Sequence, residues 1–152
     1  MLRQYLFGAT VSVCNIAIHA LVMVTVIKVT RIADRLATSW PSLRLITVMS
    51  ATVTVLMIAH FAEVLVWSLV YLVVSAAPAG ADLIYFAFVN YTTLGYGDVT
   101  PVERWHFLGP MAAMNGVLLF GWSTAVIFEV LRMTLQASGD EEGRREKRWW
   151  PG

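Results

Sequence analysis

The chain has 152 residues, 58% hydrophobic and 14% charged, with a net charge of +1 and a mean hydropathy of +0.67. Soluble domains carry about 45–50% apolar and about 25% charged residues, so one soluble α/β domain and a disordered chain are both excluded. The near-zero charge leaves no basic face to track phosphates, which argues against nucleic acid, and the single cysteine, Cys14, excludes a disulfide scaffold.

The first apolar run goes from about Tyr5 to Val29, interrupted by Asn15 and His19. It is long enough to cross a bilayer core, which takes roughly 20 apolar residues. The run is too long for a cleaved leader, and no clear small-residue site ends it. The second run goes from about Ser42 to Ala77, with Pro41 at a first helical position and Pro78 and Gly80 to stop it. Such a helix exceeds the bilayer core, so its first turns near Arg44 are expected in water. A shorter run, Ala81 to Thr92, would make only about 18 Å of helix. Asp82 falls in its first turn, favourably placed against the helix dipole. A polar, glycine-rich segment follows, Thr92-Thr93-Leu94-Gly95-Tyr96-Gly97-Asp98, then a last apolar run from about Arg104 to Leu135 and a polar tail from Ala137 to Gly152.

The order is span, span, half-helix with an irregular loop, span. Irregular backbone at membrane depth survives only where protein buries it or where it lines a water-filled path, which suggests a re-entrant pore loop. Lys28, Arg31, Arg35 and Arg44 outweigh Asp34 between the first two spans, and Arg132, Arg144, Arg145, Lys147 and Arg148 crowd the C-terminal end. Around the loop, Arg104 faces Asp82, Asp98 and Glu103. The positive-inside rule then puts the C-terminus in the cytoplasm and the N-terminus and loop outside, with Arg3 a discordant charge.

The heptapeptide Thr92–Asp98 resembles the selectivity filter of potassium channels, usually written T-V-G-Y-G and followed by Asp. Pro101 and Trp105 stand where many bacterial pore domains carry Pro and Trp. The resemblance covers about Ser42 to Leu135, and the first span is an addition to the minimal two-span pore. The resemblance implies an all-α membrane protein of three transmembrane helices with a re-entrant pore helix, assembled as a homotetramer. Residues 1–40 are then an added helix and its connection, 41–136 the pore domain, and 137–152 a short cytoplasmic tail. It implies a potassium-selective channel, with K⁺ held by the carbonyls of Thr93, Leu94, Gly95 and Tyr96 and the Thr93 hydroxyl, and Gly97 completing the filter. The Tyr96 ring should brace the loop, and Asp98 sits at the outer mouth. No organic cofactor is implied; the partners are three further copies and lipid, and a prokaryotic inner membrane is the expected location.

The chemistry behind these residue types is specific. A dehydrated ion needs rings of oxygens in place of its water shell. Pointing successive carbonyls at one axis takes backbone conformations that L-residues resist, and glycine supplies them. Two positions depart from the family pattern. Leu94 replaces Val or Ile, and Val89 stands where some channels have a carboxylate bonded to the filter Asp, so that brace is expected to be absent. Tyr85 and Phe86 occupy the place of an aromatic cuff, and Thr92 supports the filter root.

Glu63 has two readings: a proton-sensitive carboxylate bracing the pore helix at Asn90 or Tyr91, or a Glu63–His60 pair satisfied between helices. Gly116 and Gly121 read either as an inner-helix hinge or as close helix packing. Glu129 shares a stripe with Asn115, Leu118, Trp122 and Ala125, so it either rings the inner mouth or pairs with Arg132. Asn15 and His19 are expected to hydrogen-bond within helix packing. Trp40, Trp67, Trp105, Trp149 and Trp150 are expected as interfacial belt anchors. No voltage-sensor pattern, metal-ligand cluster, nucleophile pair or phosphate loop is seen, a Rossmann-like or cyclic-nucleotide-binding domain is not expected, and nothing argues for an enzyme. The alternatives are a non-conducting subunit that co-assembles with a channel, or a weakly selective cation channel.

Overall fold

The computed structural model describes residues 2–33 and 40–149, and from 140 onward the helical backbone alone. The expectations for Asp34 and Arg35, for the side chains of Arg144, Arg145, Lys147, Arg148 and Trp149, and for Trp150 lie outside the described residues. Four α-helices and one short 3-10 turn make up the described chain: α1 (Leu2–Ala33), α2 (Pro41–Val74), α3 (Leu83–Tyr91), the turn Glu103–Trp105, and α4 (Leu108–Trp149). Leu2–Ile32, Ser42–Val74 and Glu103–Gly139 are each long and apolar enough to cross a membrane. The protein is therefore an all-α membrane protein, with α3 as a short helix folded back between two spans.

α1 packs on both α2 and α4, and α3 is wedged between α2 and α4. The start of α1 meets the end of the molecule that carries the loop after α3. There the Phe107 N–H donates to Gln4 Oε1 at 3.1 Å, and Tyr5 and Phe7 stack near Phe107 and Trp105. The N-terminus and the loop thus share one end, as alternating spans require.

Local chemistry sets the helix ends. Asp82 is the N-cap of α3, its Oδ1 accepting from Ile84 N at 3.0 Å and Tyr85 N at 3.1 Å. α2 stops at Val74, earlier than the Pro78–Gly80 stop expected from sequence. The stop is Ser75, left-handed at φ 51. Its N–H donates to Leu72 O, and the Ala76 N–H to Tyr71 O, the double closure of a Schellman end. Glycine takes this conformation without the Cβ penalty. Ser75→Gly should raise the midpoint of thermal unfolding in detergent, with a gain of about 1 kcal/mol; an unchanged or lower midpoint would contradict this.

Two expectations are corrected at the opposite end. Arg44 does not protrude into water: it is buried, and its Nη2 donates to Thr134 O at 3.2 Å and Ser138 Oγ at 2.9 Å. The carbonyls of α4 offer it a partner closer than solvent. The last helix also does not end near Leu135 but continues as α4 to Trp149.

Candidate functional site

The Thr92–Asp98 segment leaves the C-terminal end of α3. The Thr92 hydroxyl donates to Phe88 O at 2.7 Å. The N–H groups of Thr93 and Leu94 turn back to Asn90 O and Val89 O, both at 3.0 Å. This anchors the segment to the last turn of α3. Beyond it the backbone alternates in hand: Thr93, Gly95 and Gly97 have φ of 61°, 60° and 78°, whereas Leu94 and Tyr96 are not among the positive-φ residues. Positive φ thus recurs at every second residue from Thr93 to Gly97. Glycine meets the demand at low cost at two of these positions; Thr93 meets it as an L-residue.

The Tyr96 ring does not brace the loop within its own chain. It is 68% exposed, and Leu94 is 54% exposed. Asp98 is braced after all, from a different position than the one occupied by Val89. The Tyr85 hydroxyl donates to Asp98 Oδ2 at 2.7 Å, and this hydrogen bond holds the Tyr85 phenol above the usual tyrosine range. Phe86 turns the other way, is buried, and stacks on Tyr71 at 4.9 Å. The two aromatics therefore do separate jobs instead of forming one cuff.

Under the loop lies a polar cluster that joins all four helices. Glu63 on α2 is fully buried. Its Oε1 meets His19 Nδ1 of α1 at 2.6 Å, and its Oε2 meets His60 Nδ1 at 3.0 Å. Oε2 also accepts from the Tyr91 hydroxyl, at the end of α3. On the far side of both imidazoles is Ser123 of α4, its Oγ 2.9 Å from His60 Nε2 and 3.2 Å from His19 Nε2. His19, Glu63, His60 and Ser123 thus close a ring of four hydrogen bonds, which needs four protons. Two neutral imidazoles and one hydroxyl supply three. The fourth rests on the carboxyl or on an imidazole, and in either case the ring carries no net charge. Neutrality and full pairing are what let such groups lie among apolar helices.

Both sequence readings of Glu63 are present as contacts, to Tyr91 and to His60. The third partner, His19, comes from a helix 44 residues away in sequence and has no spacing signal. An adjoining pair of contacts extends the cluster: Asn15 Nδ2 and Trp67 Nε1 both donate to Asn115 Oδ1 at 3.1 Å. Two expectations therefore fail. Trp67 is a core residue and not a belt anchor, since its indole N–H has a buried acceptor. Asn115 faces the bundle interior, apart from exposed Leu118, so the stripe leading to Glu129 does not line one surface. Trp105 is also buried, with the Arg3 guanidinium 5.3 Å from its ring centre. That contact occupies the charge that fitted the orientation rule poorly.

Gly116 is a close-packing residue: a Cβ there would stand 2.0 Å from the Tyr91 carbonyl oxygen, whereas one at Gly121 would meet nothing within 4 Å. Glu129 is paired with Arg132 through two contacts of 2.8 and 2.9 Å. The expectation of no metal-ligand cluster is also corrected. His19, His60 and Glu63 place one potential ligand atom each within 4.8 Å of one another; helix packing brings them together.

Residues 59–133 match the family model described as an ion channel. No curated protein and no solved structure matches the chain. The matched stretch runs from the middle of α2 through α3, the loop and most of α4; α1 lies outside it. Over these residues the protein is similar to an ion channel, within a chain whose three long apolar helices mark an integral membrane protein.

Proposed function

We propose that four copies of this chain surround one axis as a K⁺-selective channel, in a prokaryotic inner membrane with the N-terminus and loop outside. The observation that carries the reading is the alternating hand at Thr93, Gly95 and Gly97, in a segment hung from the end of a half-helix between two spans. Carbonyls of Thr93, Leu94, Gly95 and Tyr96, with the Thr93 hydroxyl, then replace the water shell of dehydrated K⁺. One chain supplies a quarter of each ring. The exposure of Leu94 and Tyr96 in the single chain fits their packing against neighbouring copies. Asp98 gathers cations at the mouth, and Tyr85 holds it there. Thr92 and Phe86 fix the root of the loop. Glu63 positions Tyr91, whose carbonyl immediately precedes Thr92.

Calorimetric titration of the detergent-solubilised protein, prepared free of K⁺, tests the reading. Binding of K⁺ with no heat from Na⁺ is expected, from a particle of four chains. Equal binding of both ions would favour a weakly selective cation channel, and binding of neither a non-conducting subunit. Tyr85→Phe removes the hydroxyl on Asp98 and leaves the aromatic ring. In liposomes its K⁺ flux should start near the wild-type rate and decay faster; an identical time course would remove Tyr85 from the filter support.

A further inference from the structure

We propose that His19, His60 and Glu63, with the Tyr91 hydroxyl as fourth donor, form a tetrahedral site for a Zn²⁺-class transition-metal ion. The proposal does not rest on which ion the pore passes. It consists of two imidazole nitrogens and two oxygens, a donor set that suits Zn²⁺ and its neighbours over Mg²⁺ or Ca²⁺, which favour all-oxygen shells.

Four observations converge on it. First, the donors already face one another. His19 Nδ1 and His60 Nδ1 lie 2.6 and 3.0 Å from the two carboxylate oxygens, and the Tyr91 hydroxyl lies 3.0 Å from His60 Nδ1. Ligands around a tetrahedral ion with bonds near 2.0–2.1 Å stand about 3.3 Å apart, and the His19, His60 and Glu63 ligand atoms all lie within 4.8 Å of one another, so entry of an ion asks the hydrogen-bonded pairs to open and the wider pairs to close. Second, an orienting group is in place. Metal-bound histidines present a bare nitrogen to the ion and donate the other N–H to a second acceptor. Ser123 Oγ lies within 3.2 Å of both Nε2 atoms and has two lone pairs to receive them. Third, the charge balances. An ion of charge +2, the Glu63 carboxylate and Tyr91 as phenolate sum to zero, the same as the hydrogen-bonded ring. The mass balance is the loss of two protons, the ring's fourth and the phenol's. Fourth, one donor reaches the surface of the chain. His60 is the one partly exposed member, and with Tyr91 and Phe120 it lines a groove of about 530 Å³.

An ion there would clamp α1 and α2 to the end of α3, one residue before the loop. The added first helix would thereby gain a part in fixing the loop.

The test uses the tag-free full chain in detergent, stripped with chelator and then titrated with Co²⁺ and with Zn²⁺. The expected result is one Co²⁺ per chain with the intense visible bands of a tetrahedral N/O site, displaced by Zn²⁺. Retention of Zn²⁺ by gel filtration should be lost in His60→Gln and in His19→Gln, with helical content and oligomeric size checked by circular dichroism and light scattering. Ser123→Ala, which removes the orienting hydroxyl, should weaken Zn²⁺ by about 10–100-fold. A folded wild-type chain that retains no metal would overturn the proposal. So would a His60→Gln chain that binds Co²⁺ with the same spectrum, which would place the ion elsewhere. Either result would leave the four side chains as a hydrogen-bonded strut.

Discussion

Glu63→Leu is expected to destabilise the fold by about 3–5 kcal/mol, the scale seen when one member of a buried charged network is removed and its partners stay behind. The leucine fills a similar space. The loss is chemical: His19 Nδ1 and the Tyr91 hydroxyl lose the carboxyl group at once, and His60 Nδ1 is left with the Tyr91 hydroxyl alone; each unsatisfied buried group costs about 1–3 kcal/mol. Glu63→Gln should lose less, because its carbonyl still accepts while its NH₂ opposes a donor. Denaturant unfolding in mixed micelles, followed by circular dichroism, would rank wild type above Gln above Leu. A leucine variant within about 1 kcal/mol of wild type would mean that water, and not the protein, satisfies these groups.

Gly116→Ala carries the second large effect. The added methyl would sit 2.0 Å from the Tyr91 carbonyl oxygen and 3.0 Å from its carbon, both backbone atoms. No side chain can swing aside, so either α4 retreats or α3 moves. Overpacking of this kind costs about 1–3 kcal/mol. The displaced group is the carbonyl that leads into Thr92, so cation flux should fall together with stability. Gly121→Ala is the control: its Cβ meets nothing within 4 Å, and in mid-helix alanine is favoured over glycine by about 1 kcal/mol. It should be neutral or stabilising in the same denaturation series. Equal losses at both positions would favour a flexible inner helix over a close approach at Gly116.

The architecture was legible in the sequence because it depends on quantities one segment carries by itself. A run of apolar residues is long enough to span or it is not, and Ala81–Thr92 is too short. What faces what was less legible. A span whose outer face meets lipid is apolar all round, so its periodicity does not report which side packs inward. Trp67 therefore read as an interfacial anchor, and Asn115 as part of a stripe with Leu118 and Glu129. The helix end at Ser75 was hidden for a related reason: a left-handed serine has no compositional mark, whereas Pro78 and Gly80 are conspicuous.

The loop and the cluster beneath it show the same division. Thr92–Asp98 is contiguous, so its residue types are visible in order. The brace on Asp98 comes from Tyr85, thirteen residues earlier, where none is expected from sequence because Val89 lacks a carboxylate. Glu63 stood out because a carboxylate inside a span demands a partner, and Tyr91 was among the partners expected. His19 and Ser123 could be recruited only once α1 and α4 were packed. A histidine, a serine and two asparagines on different spans were the available signal, since each needs a buried partner.

The account turns on whether the loop conducts K⁺ selectively. The measurement is K⁺ against Na⁺ flux from liposomes holding the purified protein, with Gly95→Asp as the control that strains the left-handed backbone at φ 60° and adds a charged side chain to the segment. The account predicts K⁺ flux well above Na⁺ flux in the wild type and none in the variant. Equal fluxes of the two ions, or a K⁺ flux that survives Gly95→Asp, would contradict it.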